Sequence, residues 1–399
     1  MLRKISINQL RFGMYIQAID GSWFSHPFWR TRFVLSDPAD MQALRSSGVP
    51  AVWIDTEQGV DIAEAAAAPT EPHPAVEATV AESPARAATC SARDEMQRAS
   101  RVLNRSKQAV ASLFNEARLG NAVDAQACLP VVEEISESLA RNASALIGQA
   151  RLKDRDEYTY MHSVSVCALM VSLARQLGLN ESLTREAGLA GLLHDVGKMA
   201  MPPQVLNKPG KLTDAEFEIM RAHPERGHAM LVHSGTMPEA VLDVCLHHHE
   251  KVDGSGYPHG LKGEQISLVA RMGAVCDVYD AITSRRPYKE AWDAAGSLSR
   301  MAQWKGHFDT GVFHAFVKSV GIYPLGTLVR LESGRLGVVV DQNPGKLTEP
   351  VLRLFYSTRT KMPIAPEELD LSRRHGEDRI VSREDPVTWG FANLDDFWR

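Results

Sequence analysis

The stretch Leu189-Ala190-Gly191-Leu192-Leu193-His194-Asp195-Val196-Gly197-Lys198 decides the reading of this chain. Leu189, Leu192, Leu193 and Val196 recur at helical spacing, and His194-Asp195 lies embedded among them. Adjacent helical residues diverge by about 100°. Both side chains therefore reach one site only if it lies beside the helix and takes more than one ligand. A carboxylate shared between two metal ions, next to an imidazole on one of them, meets that condition. Gly197 and then Pro202-Pro203 end the helix, leaving Lys198 on the rim.

Outward from this doublet, other segments offer ligands on inward faces. A helix expected over Glu157–Leu177 lines up Val166, Leu169, Met170, Leu173 and Leu177, with His162 four residues before Val166. His223 stands in Arg221-Ala222-His223-Pro224, where taken singly it reads as a helix end. Over Val241–Glu250, helical periodicity places His248 and His249 within about 80° of Val241 and turns His247 about 120° away. Two adjacent buried imidazoles need a shared ligand, because polar groups require partners once desolvated. Asp277 sits on the small-residue face Ala270, Gly273, Ala274 and Ala281 of a helix expected over Ser267–Thr283. Nine of the 14 histidines lie between His162 and His259. The donors are N and O without thiolate, which fits Fe, Mn or Zn in a hydrolytic pair better than a structural zinc site.

The rest of the chain frames this window. Its 399 residues suffice for two or three domains. A net charge of −5 gives no basic field for general nucleic-acid binding. No apolar run approaches the roughly 18–20 residues that span a bilayer, and no secretory signal follows the first Met. Cys90, Cys128, Cys167, Cys245 and Cys276 are scattered and odd in number, the usage of a reducing, cytoplasmic compartment. Residues 1–61 read as a small α/β module, with extended runs at Met14–Ile16 and Ala51–Ile54 around a helical stretch near Asp37–Ser46. Residues 62–94, rich in Ala, Pro, Glu and Thr, read as a flexible linker. Residues 95–150 are helical, the second helix expected from about Pro130. A long helical region, 151–320, precedes a C-terminal module, 321–399. There a hairpin at Thr327–Leu331 and Leu336–Val340, a further strand at Val351–Tyr356 and a polar tail are expected. The fold class is mainly α, with small β-containing modules at both ends.

His194-Asp195 with Lys198, then His248-His249-Glu250, then Asp253-Gly254-Ser255-Gly256-Tyr257-Pro258, resemble the HD-GYP branch of the HD phosphohydrolases. The order of His162, His223, Asp277 and Arg286-Pro287-Tyr288-Lys289 agrees with it, and the likeness covers about residues 150–320. Residues 1–60, including Leu10–Tyr15, also resemble a small domain of unknown function that often precedes such domains. The resemblance implies an all-helical, metal-dependent phosphodiesterase that hydrolyses cyclic di-GMP to linear pGpG or GMP through a hydroxide bridging two divalent ions, Fe or Mn. Carried over residue by residue, the ligands are His162, His194, Asp195, His223, His248, His249 and Asp277, with Asp195 bridging. Lys198, Arg286 and Lys289 face substrate phosphates, and Tyr257 offers a ring to a base. The GYP loop also implies a protein partner. Where some members of the family carry a Glu for a third ion, four residues before the first His, this chain has Tyr158, so two ions are expected. A non-catalytic cyclic di-GMP receptor and a phosphohydrolase for another cyclic dinucleotide are the competing readings.

Overall fold

The structure, a computed structural model, describes residues 2–20, 33–35, 41, 45, 51–56, 58–60, 89–152, 158–284, 292–373, 378–391 and 394–398. Most of the expected linker, Glu157 and the Arg286–Lys289 segment lie outside these residues, as does the side chain of Tyr158. The chain divides into two compact units, Met1–Pro84 and Ala85–Arg399.

The first unit is built on an antiparallel sheet of β1 (Leu2–Ser6), β2 (Tyr15–Asp20), β3 (Phe33–Val34) and β4 (Ala51–Asp55), in the order β1-β4-β2-β3. Alternation in β4 buries Val52 and Ile54 and turns Trp53 outward, as period-2 geometry requires. Those two join Ile5, Leu10, Met14, Ile16 and Leu35 in a small core. Of the helical stretch expected near Asp37–Ser46, Met41 and Arg45 are described, and both are helical.

The second unit opens with a helical hairpin, α1 (Ala92–Arg118) and α2 (Ala125–Arg151). Helix α1 begins inside the range expected to be linker, because the Ser91 side chain accepts from the Asp94 amide and caps it. Helix α2 begins at Ala125, capped by Asp124, five residues before the expected start at Pro130. Pro130 sits inside the helix. Asn142 breaks α2 with φ −161° and ψ 105°. Its Oδ1 accepts from the Ala145 amide (3.0 Å), and its Nδ2 donates to the Cys90 carbonyl (3.0 Å) and to Asp341 (3.3 Å).

The hairpin packs on α3 (Tyr158–Gln176), whose residues from His162 to Ala174 are all buried. The expected single apolar stripe is thus an underestimate, since α3 is enclosed on every side and reads apolar almost all round. Around it lie α4 (Glu181–Leu193), α5 (Pro203–Leu206), α6 (Asp214–Arg221), α7 (His223–His233), α8 (Glu239–His247), α9 (Leu268–Thr283), α10 (Ala294–Met301) and α11 (Thr310–Val320). An antiparallel sheet follows, of β5 (Leu328–Leu331), β6 (Arg335–Asp341), β7 (Val351–Ser357), β8 (Met362–Asp370) and β9 (Ile380–Arg383), in the order β8-β7-β6-β5-β9. The expected hairpin and third strand are there, with two strands the sequence reading did not anticipate. The tail is not merely polar: Leu394 and Trp398 pack with Leu328, Leu336 and Phe355, and with Ala92 and Ala145 of the hairpin. Asp341 accepts from the Ala92 amide at 2.8 Å, fastening the sheet to the start of α1.

Candidate metal centre

Five segments deliver the side chains. His162 comes from α3, and Asp277 from the middle of α9. Helix α4 stops at Leu193, with His194 as its C-cap; Asp195 follows at φ −102° and ψ 9°, and a 3-10 turn runs from Val196 to Ala200. The doublet is therefore not embedded in a helix as expected. Leaving the helix lets both side chains converge on one point, which the 100° rotation inside a helix would oppose. His223 opens α7, with Pro224 in the first turn where its missing N–H costs nothing, so it is a helix start and not an end. His248 caps the end of α8, and His249 follows it. His247 turns away, its Nδ1 2.6 Å from Asp243.

Two close approaches bring these segments together. A Cβ on Gly197 would lie 2.0 Å from the His223 carbonyl oxygen, so only glycine lets the turn after Asp195 pass α7. A Cβ on Gly273 would meet Val244 at 2.8 Å, so the small-residue face of α9 settles on α8 and carries Asp277 toward His249.

The Asp195 carboxylate divides its surroundings. Its Oδ2 lies 3.4 Å from His162 Nε2 and 3.3 Å from His194 Nε2. Its Oδ1 lies 3.2 Å from His223 Nε2 and 3.8 Å from His248 Nε2. Asp277 Oδ1 stands 3.0 Å from His162 Nε2 and 3.9 Å from His194 Nε2, and its Oδ2 is 3.8 Å from His249 Nδ1. Ligand atoms of His162, His194 and Asp277 fall together as one set, those of His223, His248 and His249 as a second, and those of His194, Asp195 and His248 as a third that joins them. Ligands about 2.1 Å from a shared ion are themselves about 3.0–3.4 Å apart; four of these distances fall in that range, and three, at 3.8–3.9 Å, lie beyond it.

Tautomers sharpen the case. The Nδ1–H of His194 donates to the Gly191 carbonyl (2.8 Å), that of His223 to Met220 (2.8 Å), and that of His248 to Val244 (3.0 Å). His162 Nδ1 donates to the buried Asp280 carboxylate at 2.6 Å. With Nδ1 protonated, each ring turns its Nε2 lone pair inward, as metal-ligating histidines do. His223 and His248 aim their Nε2 atoms at each other across 3.3 Å. His194 Nε2 and Asp195 Oδ1 are buried without a hydrogen-bond partner. Lone pairs and carboxylate oxygens packed this closely repel unless positive charge lies among them, and divalent cations supply it.

Electrostatics of the metal-free centre point the same way at Asp195, Asp277, His248 and His249, and the opposite way at His194. Burial alone would raise the Asp195 carboxyl, but Lys198, His194 and His223 outweigh it and hold it well below the usual carboxylate range. Asp277 is likewise held low against burial, chiefly by His162. Burial and neighbouring imidazoles push His248 well below its ordinary value, and burial takes His249 down to about 3. Burial opposes protonation of His194, but Asp195 and Asp277 outweigh it and raise its pKa.

Lys198 Nζ donates to Asp195 Oδ2. Its side chain and that of His249 are each 22% exposed, while the other ligand side chains are nearly sealed, so the centre opens on this side. Tyr257 stacks on His249 there, ring centroids 4.7 Å apart. Arg286 and Lys289, expected at the phosphates, lie outside the described residues. Sequence reasoning missed two acidic groups. Asp280 is three residues past Asp277 on the same helical face, a spacing that could have flagged it. Glu250, quoted in the motif but given no task, is buried and accepts from the amides of His259 (2.7 Å), Gly260 (3.0 Å) and Leu261 (3.1 Å). It staples the GYP loop from within. Among the described residues no helix is long and apolar enough to cross a membrane.

Known proteins resemble this chain along its whole length. Residues 2–128 match a domain of unknown function, DUF3391, and residues 135–312 match the HD domain family. The chain is 54% identical over its full length to cyclic di-GMP phosphodiesterase PA4108 of Pseudomonas aeruginosa, covering 96% of that protein. It is 40% identical to the cyclic di-GMP phosphodiesterase response regulator RpfG of Xanthomonas campestris, over 48% of this chain and 51% of that one. It is 35% identical to 3'3'-cGAMP-specific phosphodiesterase 1 of Vibrio cholerae, over 41% and 38%. A DUF3391 segment, an HD domain and 54% identity over the full length to a curated relative place this chain in the HD-GYP family of HD-domain phosphohydrolases.

Proposed function

We propose that this chain is a cytoplasmic, metal-dependent phosphodiesterase that hydrolyses cyclic di-GMP to linear pGpG, GMP or both at a centre of two divalent ions, Fe or Mn. The observation that carries the reading is the Asp195 carboxylate, whose two oxygens face two separate sets of imidazoles. His162, His194 and Asp277 would hold one ion, and His223, His248 and His249 the other, with Asp195 shared. Such a pair, when bound, activates water at neutral pH and neutralises charge on the phosphate. The chain's own residues do the remaining work. Main-chain carbonyls and Asp280 fix the ring tautomers. The buried carboxylates stay ionised. Lys198, on the open side, is placed to meet the charge that grows on the phosphoryl oxygens. Seven converging ligands favour turnover over a receptor role, which needs no such centre.

Metal-free protein reloaded with Mn²⁺ or Fe²⁺ under nitrogen and given cyclic di-GMP tests this. The expected result is about two ions per chain with pGpG or GMP released, and loss of ions and activity together in Asp195→Ala. Fewer than about one ion per chain, or binding of cyclic di-GMP without cleavage, would overturn it. Faster cleavage of cyclic GMP–AMP would move the substrate to that of the Vibrio relative.

A further inference from the structure

One surface beside the centre has no task in the reading above. Helix α6 ends at Arg221, two residues before the ligand His223. Its guanidinium carbon lies 5.0 Å from the centroid of the Tyr257 ring, and Tyr257 stacks on His249. Phe217, one turn earlier on α6, meets Tyr257 edge-on at 6.4 Å. Phe217 is nevertheless 46% exposed and the Arg221 side chain 37% exposed. An exposed aromatic and a guanidinium held against a ring therefore flank the side on which Lys198 and His249 are open.

With an imidazole stacked on it and a guanidinium over it, the Tyr257 ring acts as a support rather than as a free platform. The free surfaces are those it supports. Arg221 Nη1 donates to Glu218 at 3.0 Å, a solvent-exposed pair on the same helix. Such pairs contribute little and give way readily to a better acceptor. A guanidinium oriented by an aromatic ring offers its fork in a fixed plane. The matching acceptor pair on a purine is O6 and N7 of guanine, whereas adenine presents an amino donor in place of O6. An exposed phenyl ring beside that fork offers a stacking face to the same base.

We propose that Arg221 and Phe217 form the base-recognition wall of the centre, Arg221 reading the O6/N7 edge of a guanine and Phe217 stacking on it. Phosphate charge is left to Lys198 and the ions. This rests on the phosphodiesterase reading and adds the element that selects the base. Tyr257 is then a positioning residue, holding Arg221 in register with His249.

The test compares two substrates on full-length, metal-loaded protein: cyclic di-GMP, and bis(4-nitrophenyl) phosphate, a diester with no base. For Arg221→Ala, the ratio of kcat/KM on the dinucleotide to that on the nitrophenyl ester is expected to fall roughly 10- to 100-fold, the scale of one bidentate guanine contact. Arg221→Lys keeps the charge but loses the fork, and is expected to fall nearly as far. Phe217→Leu should lower the same ratio through KM. An unchanged ratio in Arg221→Ala, or full rescue by lysine, would overturn the inference, the latter by showing that Arg221 serves a phosphate. Wild-type protein that cleaves the nitrophenyl ester but not cyclic di-GMP would instead overturn the substrate reading.

Discussion

If the centre holds the two ions proposed above, Asp280 offers a way to weaken one and leave the other. Of the four proposed ligand rings with a described Nδ1 hydrogen bond, His194, His223 and His248 are held by main-chain carbonyls that no substitution removes. His162 alone leans on a side chain, the buried Asp280 carboxylate at 2.6 Å, which also accepts from Ser284 at 3.2 Å. In Asp280→Asn the shape is kept, but a charge-assisted hydrogen bond becomes a neutral one of roughly half the strength. The His162 ring loses basicity and its fixed tautomer. Loss of such a partner lowers metal affinity about 10- to 100-fold, or about 1.4–2.8 kcal/mol. Because His162 converges with His194 and Asp277, the loss should fall on that ion and spare the one near His223, His248 and His249. Calorimetric titration of metal-free protein with Mn²⁺ should show two comparable events in the wild type. In the variant, one event should move 10- to 100-fold and the other stay in place. Equal weakening of both events, or of neither, would refute the reasoning. A matching far-ultraviolet spectrum and thermal melt would keep unfolding out of the comparison.

Lys198→Ala should retain both ions by elemental analysis and lose roughly 10²–10³ in kcat, the scale of one electrostatic donor; unchanged turnover would leave Lys198 as a cation at the end of a turn. In metal-free protein, His248 and His249 have folded pKa values below the ordinary 6.5, so the unfolded chain takes up protons first and stability falls as pH drops below that value. The depressed Asp195 and Asp277 add to the loss below their ordinary 3.8, while the raised His194 opposes it, contributing below 6.5 and fading as pH rises through its folded value. The urea midpoint should therefore decline from pH 7 to pH 4.5, and a flat or rising midpoint would contradict the net sign. Glu95 is buried and accepts from Ser138 (2.9 Å), Arg141 (3.0 Å) and Arg98 (3.0 Å). Glu95→Gln should cost about 2 kcal/mol, below the range for fully buried pairs because both arginines are partly exposed; a change under about 0.5 kcal/mol in urea unfolding would reject the pair as structural.

The convergence of the proposed ligands was legible because they are chemically unusual: an imidazole on an apolar helical face needs a reason to be there, and periodicity chose His248 and His249 over His247. Their supports were harder to see. Gly191, Met220 and Val244 act through carbonyl oxygens that any residue would supply, so no residue type marks them. The exit of Asp195 from its helix was hidden because Val196 keeps the apolar period going while the backbone tightens into a 3-10 turn. The start of α1 was lost in a composition count, since Ser91, Arg93 and Asp94 are the polar residues of a linker and also those of a capped first turn. Strand β8 escaped because Pro363, Pro366 and a run of exposed positions give it none of the half-buried alternation by which a strand is recognised.

The break at Asn142 bears on how this architecture can be taken apart. Its amide ties the arriving chain at Cys90 to Asp341, and Asp341 in turn caps Ala92. Three points more than fifty residues apart in sequence thus close one knot, on which both helices of the hairpin depend. A gene fragment cut before the terminal sheet would leave the Ala92 amide without its Asp341 acceptor and strip the apolar floor that Trp398 and Leu325 provide. The terminal sheet is a clasp on the catalytic body, not an accessory to it.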